Sequence, residues 1–272
     1  VLDGAVLVVS AKDGVQAQTR ILFHALQKMN IPTIIFINKI DQDGINLCHV
    51  YQNIREKLTH DMIVMQEVVL SPKITMTDIS DLNKWDTVIA GSDELLERYI
   101  AEDSLDIQDL QREKCQRTRR CSLFPVYHGS AKNNLGTEKL IEVITETFVT
   151  GTENSQSELC GYVFKVEYTA RKKRLSYLRL YHGTLRLRDT LLLSKKKKIK
   201  ITEMFIPANG EIVPTDHAYP GEIVILSDDT LKLNDILGNE KLLPHKAWLD
   251  NPMPLLRTTV FPEKLEQRDD LL

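Results

Sequence analysis

The chain has 272 residues, of which 42% are hydrophobic and 27% are charged, and its formal net charge at pH 7 is −3. This composition is typical of a folded globular protein and excludes collagen-like, low-complexity and wholly disordered chains. The uninterrupted apolar runs are much shorter than the roughly 20 residues that span a bilayer, so we expect no membrane-spanning helix. Four cysteines without a C-x-x-C pair favour reduced thiols in a cytoplasmic protein.

The N-terminal half alternates apolar strands with amphipathic helices, which is the pattern of a parallel sheet covered on both faces. Ala5–Val9 and Thr33–Ile37 predict buried strands, and apolar residues at helical spacing predict a helix after each of them. The same order, strand and then helix, resumes at Leu123. Residues 62–120 are predicted to be a largely peripheral insertion. Residues 1–152 are therefore predicted to form a doubly wound α/β domain.

The hydrophobic period changes from 3.6 to 2 in the second half of the chain. Short strands separated by glycine turns predict a small antiparallel β-barrel over residues 158–242. The six predicted strands are Tyr162–Tyr168, Leu175–Tyr181, Thr184–Leu193, Ile199–Phe205, Glu211–Val213 and Glu222–Leu226. A polar stretch of small residues around 150–157 is predicted to link the two domains, and a third section covers residues 243–272.

The sequence Asn38-Lys39-Ile40-Asp41 follows the second predicted strand, at the sheet edge where open α/β folds bind ligands. A carboxylate there can accept two parallel hydrogen bonds from the N1–H and the exocyclic amine of guanine. Adenine has no amine at that position, so Asp41 would select guanine. Asn38 can bond the base and a neighbouring loop, and the stem of Lys39 can lie along the base. The alternative is a polar loop in which Asp41 begins a turn before Gly44.

A second motif, Ser130-Ala131-Lys132, follows the next core strand of the predicted domain. Because parallel strands end at the same edge of a sheet, the two motifs are expected to converge. The backbone N–H of Ala131 is expected to reach the guanine oxygen. Ser130 would hold Asp41, and Lys132 would cover the opposite face of the base. The pair of motifs therefore predicts a guanine site.

Together the two motifs resemble the base-recognition motifs of the GTPase superfamily. Longer segments resemble the tetracycline-resistance ribosomal protection proteins, which are translational GTPases related to elongation factor G. The segments that carry this resemblance are Val1–Thr19, Ile31–Asp41, Phe124–Gly136, Gly183–Asp189 and Pro220–Leu226. The likeness extends over nearly the whole chain.

The resemblance implies a fold class of α/β plus all-β. Residues 1–152 would be the second, C-terminal half of a doubly wound P-loop-type GTP-binding domain, and residues 158–242 a translation-factor-like β-barrel. Residues 243–272 would be a linker and the start of an α+β third domain. The residues expected to bind GTP or GDP are Asn38, Lys39, Asp41, Ser130, Ala131 and Lys132.

The phosphate-binding signature G-x-x-x-x-G-K-[ST] is absent from the sequence, and no second-switch element precedes the first strand. The resemblance thus predicts an internal fragment of a longer GTPase. The phosphate and Mg²⁺ apparatus is expected only in the intact protein, so the intact parent should hydrolyse GTP and the fragment alone should not. We assign no catalytic residue and no metal ligand to this chain.

The barrel carries two basic clusters, which are Arg171-Lys172-Lys173-Arg174 and Lys195-Lys196-Lys197-Lys198. Each is predicted to form a hairpin tip. The resemblance implies that they contact ribosomal RNA phosphates, and the alternative is that they are solvated loops. No pattern for reading bases accompanies them, so we expect no sequence-specific DNA binding and no membrane partner.

The resemblance implies that the intact protein uses GTP to dock on the ribosome and to dislodge tetracycline, which confers antibiotic resistance. One alternative is an elongation or release factor that acts in normal translation. Another is a non-enzymatic ribosomal RNA-binding β-barrel whose α/β half is a scaffold. Selective binding of guanine nucleotides would oppose the last of these.

Three isolated histidines and two cysteines are interpreted as structural. His24, His49 and His128 are isolated and belong to no arrangement of Ser/His/Asp or Cys/His type. Cys48 and Cys160 are interpreted as small apolar fillers of the core. No further catalytic site is therefore predicted.

Overall fold

The structure is a computed structural model. It describes residues 1–70, 73–101, 105–148, 158–169, 173–193 and 198–243. The predicted order, an α/β domain followed by a small antiparallel β-barrel, is confirmed. The linker predicted around 150–157 and nearly all of the third section lie outside the described residues.

In its described residues, the α/β domain contains six strands and six helices. The strands are β1 (Ala5–Ser10), β2 (Thr33–Asn38), β3 (Met62–Val64), β4 (Gln66–Val69), β5 (Thr75–Asp78) and β6 (Phe124–His128). The helices are α1 (Ala17–Lys28), α2 (Leu47–Lys57), α3 (Asp86–Ile89), α4 (Asp93–Ile100), α5 (Ile107–Arg119) and α6 (Thr137–Thr147), with a 3-10 turn at Leu82–Trp85. The main sheet has the order β1-β2-β6-β3 and is parallel throughout, whereas β4 and β5 form a separate antiparallel hairpin.

Strand β2 lies at the centre of this domain, and its first five residues are buried. Ile35 and Ile37 pack on one face of the sheet, with apolar side chains of α1 and α2. Ile34 and Phe36 pack on the other face, with side chains of α5 and α6. A strand covered on both faces needs a continuous apolar run, which is what the sequence of β2 provides.

The segment 62–120 is more integrated into the domain than a peripheral insertion would be. Its first strand, β3, pairs with β6 in the main sheet, with Met62 opposite Phe124. Its last helix, α5, buries Leu110 in the core that includes Phe36. The apolar start of the segment thus completes the edge of the sheet.

Ten strands are found in the part of the second domain that the structure describes. They are β7 (Cys160–Tyr168), β8 (Arg174–His182), β9 (Leu185–Arg186), β10 (Thr190–Leu192), β11 (Lys198–Lys200), β12 (Met204–Ala208), β13 (Glu211–Pro214), β14 (His217–Ala218), β15 (Ile223–Leu226) and β16 (Ile236–Gly238). Six of them form an antiparallel sheet in the order β13-β12-β15-β8-β7-β16. Two further ladders, β10 with β11 and β14 with β9, complete the domain around a core that includes Val163, Leu178 and Val224.

Two of the six predicted barrel strands are interrupted. The predicted strand Thr184–Leu193 is split into β9 and β10 by a turn in which Arg188 has a positive φ of 75°. In that turn the Asp189 carboxylate accepts a hydrogen bond from the backbone N–H of Arg186 at 2.9 Å. The predicted strand Ile199–Phe205 is likewise split into β11 and β12.

The two domains are in direct contact. The Arg179 guanidinium in β8 donates a hydrogen bond to Asp3 Oδ1, which precedes β1, at 2.7 Å. Val1 packs against an apolar cluster of the barrel that includes Tyr162 and Tyr181. An ion pair and an apolar contact therefore join the start of the sheet to the barrel.

Candidate functional site

The two predicted motifs lie side by side at the carboxyl edge of the parallel sheet. Ile37, the penultimate residue of β2, is opposite His128, the last residue of β6. The backbone N–H of Gly129 donates to the Ile37 carbonyl at 2.9 Å, and that of Ile40 donates to the Gly129 carbonyl at 3.3 Å. The two loops that follow these strands are therefore bonded to each other.

Asn38 connects these loops through its side chain. Its Oδ1 accepts hydrogen bonds from the backbone N–H of Lys39 at 2.8 Å and of Ala131 at 3.0 Å. The Ala131 N–H that was expected to reach the guanine oxygen thus donates to Asn38 in this structure. In a three-centre hydrogen bond the Ala131 N–H would donate to Asn38 Oδ1 and to the guanine oxygen at the same time.

Asp41 interacts with the second motif. A hydrogen bond from the Ser130 side chain, with a further contribution from the charge of Lys132, lowers the pKa of Asp41 below its usual value. The Ser130 side chain is fully buried, and its oxygen also accepts a bond from the Asn133 N–H at 3.3 Å. The ionised carboxylate, which is the form that can bond the N1–H and amine of guanine, is therefore stabilised by the second motif.

Lys39 and Lys132 are exposed beside Asp41. Lys39 has a positive φ of 67°, and its Nζ lies 3.8 Å from a carboxylate oxygen of Asp13. Asp13 follows strand β1 and accepts a hydrogen bond from the Ser10 hydroxyl at 2.7 Å. Sequence reasoning missed Asp13. Its place in a turn directly after a buried strand indicates that it lies at the same sheet edge as the two motifs.

The second loop is narrow because its backbone folds onto itself. Ser130 and Leu135 exchange backbone hydrogen bonds of 3.0 and 2.9 Å. A Cβ atom at Gly129 would lie 2.3 Å from the Leu135 carbonyl oxygen and 2.5 Å from the Phe36 ring. Only glycine fits there, so the position of Ser130 and Ala131 depends on it.

Two hydrogen-bonding contacts of the buried residue His128 support this loop. The hydroxyl of Tyr51 in α2 is 2.8 Å from Nε2 of His128, and the His128 backbone N–H donates to Gln66 Oε1 at 2.9 Å. Burial lowers the pKa of His128 to about 4, so the ring is neutral at pH 7. The structural role expected of His128 agrees with these contacts.

The predicted basic clusters of the barrel are only partly within the described residues. Arg171 and Lys172 and residues 195–197 lie outside them. Lys173 forms an ion pair with Glu203, and the Arg174 guanidinium donates to the backbone carbonyls of Leu231 and Asp229. Both side chains are thus engaged within the barrel.

Another positive surface of the barrel was not predicted. Arg186 and Arg188 are exposed and line an open depression together with His217, Tyr219 and Asp216, whose carboxylate oxygen is 2.8 Å from Nδ1 of His217. The two aromatic rings pack edge to face with centroids 6.0 Å apart. These residues are far apart in sequence, so only the pairing of β9 with β14 brings them together.

Neither a metal centre nor a membrane span is found in the part of the chain that the structure describes. Within the described residues, no group of three or more His, Cys, Asp or Glu side chains is placed to hold a metal ion. The same residues include no helix that is long and apolar enough to cross a membrane.

Comparisons with known proteins agree with this geometry. The model of the elongation factor Tu GTP binding domain matches residues 1–150, and that of elongation factor G domain 2 matches residues 158–240. Tetracycline resistance protein TetM of Neisseria meningitidis is 58% identical over 272 residues, which are 100% of this chain and 43% of the relative. Tetracycline resistance protein TetO of Campylobacter jejuni is 56% identical with the same coverage.

A crystal structure of a protein from Thermus thermophilus has the same fold. It matches with a TM-score of 0.69 and 18% identity, covering 89% of this chain and 42% of that chain. The chain spans 43% of the length of the curated relatives described above. The resemblance to tetracycline resistance proteins is confirmed, and the chain belongs to the family of the elongation factor Tu GTP-binding domain.

Proposed function

We propose that this chain is part of a cytoplasmic, ribosome-dependent GTPase that binds the ribosome and releases tetracycline. In this proposal residues of the α/β domain read guanine, and the barrel contributes to contact with the ribosome. The likeness to TetM and TetO over all 272 residues supports the tetracycline assignment. The intact protein would carry out the hydrolysis of GTP.

The observation that carries the proposal is the connection between the two guanine motifs. The Asn38 side chain accepts from Lys39 and from Ala131, so it fixes both loops at once. The side chain of Ser130 lowers the pKa of Asp41, which supports the role proposed for its carboxylate. An acceptor of fixed position and charge is what discriminates guanine from adenine at a strand end.

The proposed role of each side chain follows from its place. Asp41 would accept the N1–H and amine of the base, and Ala131 would donate to the guanine oxygen. The aliphatic stems of Lys39 and Lys132 would lie against the two faces of the base. The chain would thus bind the base of GTP or GDP, and no step through Mg²⁺ is assigned to its residues.

The ribosomal contact is proposed for positive groups of the barrel. The sequence clusters at 171–174 and 195–198 remain candidates, together with the surface formed by Arg186, Arg188, His217 and Tyr219. Arginines attract phosphate, and aromatic rings can stack on unpaired bases. Lys173 and Arg174 are weaker candidates because they have partners within the barrel.

The guanine assignment is tested by Asp41→Asn in the full-length protein. We expect affinity for GDP to fall by about 100-fold, or about 3 kcal/mol, because a charged acceptor of two hydrogen bonds is lost. Affinity for xanthosine diphosphate should rise, since that base accepts where guanine donates. Titration with labelled nucleotides measures both, and Asp43→Asn is the matched control, because this exposed residue is two positions away.

Three outcomes distinguish the interpretations. Unchanged GDP affinity in Asp41→Asn would show that the guanine site is misplaced. Absence of nucleotide binding by the wild-type protein would favour the non-enzymatic RNA-binding module. Normal GTPase activity without rescue of tetracycline-inhibited translation would favour an elongation or release factor.

A further inference from the structure

A cleft separates helix α2 from the strands β3 and β4 and has a volume of about 420 Å³. This volume falls in the range of roughly 300–1,000 Å³ that is typical of sites for small organic ligands. None of the six residues proposed to read guanine lines it. The cleft is therefore a separate feature of the α/β domain.

The walls of the cleft are mainly apolar. Leu47 comes from α2, Met62 and Val64 come from β3, and Val68 comes from β4. Met62 is buried, whereas the other three are partly buried and face an open space. Such walls favour a ligand with an apolar body.

The charge of the cleft is positive by one unit. Lys84 and Glu67 both line it and form an ion pair with each other. Arg55, from the last turn of α2, also lines it and has no ion pair or hydrogen bond with another side chain in the described part of the chain. A guanidinium with unused donors favours an anionic group with two acceptor oxygens.

The floor of the cleft is fixed by bonds between distant parts of the chain. Tyr51 and Gln66 line the cleft, and both are bonded to His128, through its ring and through its backbone N–H. Because these side chains are already fixed by hydrogen bonds, binding of a ligand does not incur the free-energy cost of ordering them. The space is therefore preformed.

We infer that this cleft binds a small organic anion whose apolar body packs between α2 and β3 and whose charged group is bound by Arg55. The combination of an apolar wall, one unpaired cation and a preformed floor selects this class of ligand. A neutral apolar molecule would leave Arg55 unused, and a hydrophilic anion would leave the apolar walls uncovered.

The experiment uses 8-anilinonaphthalene-1-sulfonate as the probe and the thiol of Cys48 as a local reporter in the full-length protein. Cys48 lines the cleft and is exposed, whereas Cys115 and Cys121 are partly buried elsewhere. Alkylation by iodoacetamide, which is uncharged, is followed at each cysteine by peptide mass spectrometry. We expect saturating probe to slow alkylation of Cys48 at least about threefold without slowing the two other cysteines, because the bound probe covers the thiol.

Two charge variants separate specific binding from adsorption. Arg55→Gln should raise the probe concentration for half-protection of Cys48 by about fivefold, the effect of losing about 1 kcal/mol. Lys57→Gln removes the same charge from the same turn of α2 but does not line the cleft, so it should leave half-protection unchanged. The inference is overturned if the probe does not protect Cys48, or if Arg55→Gln binds it as well as the wild type or no worse than Lys57→Gln does.

Discussion

Arg179 of the barrel and Asp3 of the α/β domain form an ion pair of 2.7 Å, although 176 residues separate them in sequence. The Arg179 side chain is almost completely buried, whereas the Asp3 side chain is 43% exposed. A buried guanidinium without a carboxylate is costly, so the barrel depends on a residue of the neighbouring domain. The pair therefore ties the start of β1 to the barrel.

Removal of the charge of Asp3 should weaken the ion pair between the two domains and destabilise the protein. We expect Asp3→Asn to lower the free energy of unfolding by about 1–2 kcal/mol, less than for a fully buried pair because Asp3 is partly hydrated. Urea unfolding followed by circular dichroism measures the change. Asp43→Asn, an exposed carboxylate in the same domain, is the control and should alter stability by less than about 0.5 kcal/mol. Equal effects of the two variants would contradict a specific role of the pair.

Ser130 should control the ionisation of Asp41. Because its hydrogen bond is the largest cause of the lowered pKa of Asp41, Ser130→Ala should move that pKa upward toward 3.8. Guanine binding needs the ionised carboxylate, so the variant should lose affinity at a higher pH than the wild type as the solution is acidified. Titration of the Asp41 carboxyl carbon by NMR measures the pKa, with Asp43 as the internal reference. If the pKa of Asp41 is the same in Ser130→Ala as in the wild type, the proposed contact between Ser130 and Asp41 is refuted.

Gly129 should be required for the shape of the second loop. A methyl group there would collide with the Leu135 carbonyl and the Phe36 ring, so we expect Gly129→Ala to displace the loop and weaken GDP binding at least about tenfold. Gly44 is the matched control. It has a positive φ of 75°, but a Cβ atom there would meet nothing within 4 Å. Gly44→Ala should therefore cost only about 1 kcal/mol of stability and leave GDP binding close to normal. Comparable loss of binding in both variants would argue against the steric explanation.

The sequence was sufficient to place the two loops proposed to read guanine side by side, because each one directly follows an apolar strand. The contact of Ser130 with Asp41 was expected for the same reason, since parallel strands end at a common edge. Sequence could not show that the Ala131 N–H is already bonded to Asn38, because that bond depends on how closely the loops approach.

The barrel was harder to predict in detail. Its short strands were recognised by their alternation, but a turn stabilised by Asp189 divides one of them. The basic cluster that contains Lys173 looks free in sequence, yet Glu203 lies 30 positions further along the chain and pairs with it. Cys48 was wrongly interpreted as a filler: it is exposed, whereas Cys160 is buried as expected. Cys48 lies on the side of helix α2 that lines a cleft rather than on the side that packs in the core.

The buried His128 should make stability depend on pH. Its pKa is lowered from 6.5 to about 4 by burial, so the unfolded chain binds more protons than the folded chain between these two values. Stability is therefore lost as the pH falls from about 6.5 to about 4, at up to about 1.4 kcal/mol per pH unit. We expect the contribution of this residue to be about 2 kcal/mol smaller at pH 5 than at pH 7.

Replacing His128 with a residue that does not titrate separates the contribution of His128 to the pH dependence from that of the carboxylates. The free energy of unfolding of His128→Gln should fall less between pH 7 and pH 5 than that of the wild type, by about 2 kcal/mol. His24→Gln, which replaces an exposed histidine of α1, is the matched control for the loss of a histidine. Urea unfolding at the two pH values measures the difference. A parallel pH dependence of His128→Gln and the wild type would show that His128 can be protonated in the folded protein without a penalty, which would contradict the effect of burial on its pKa.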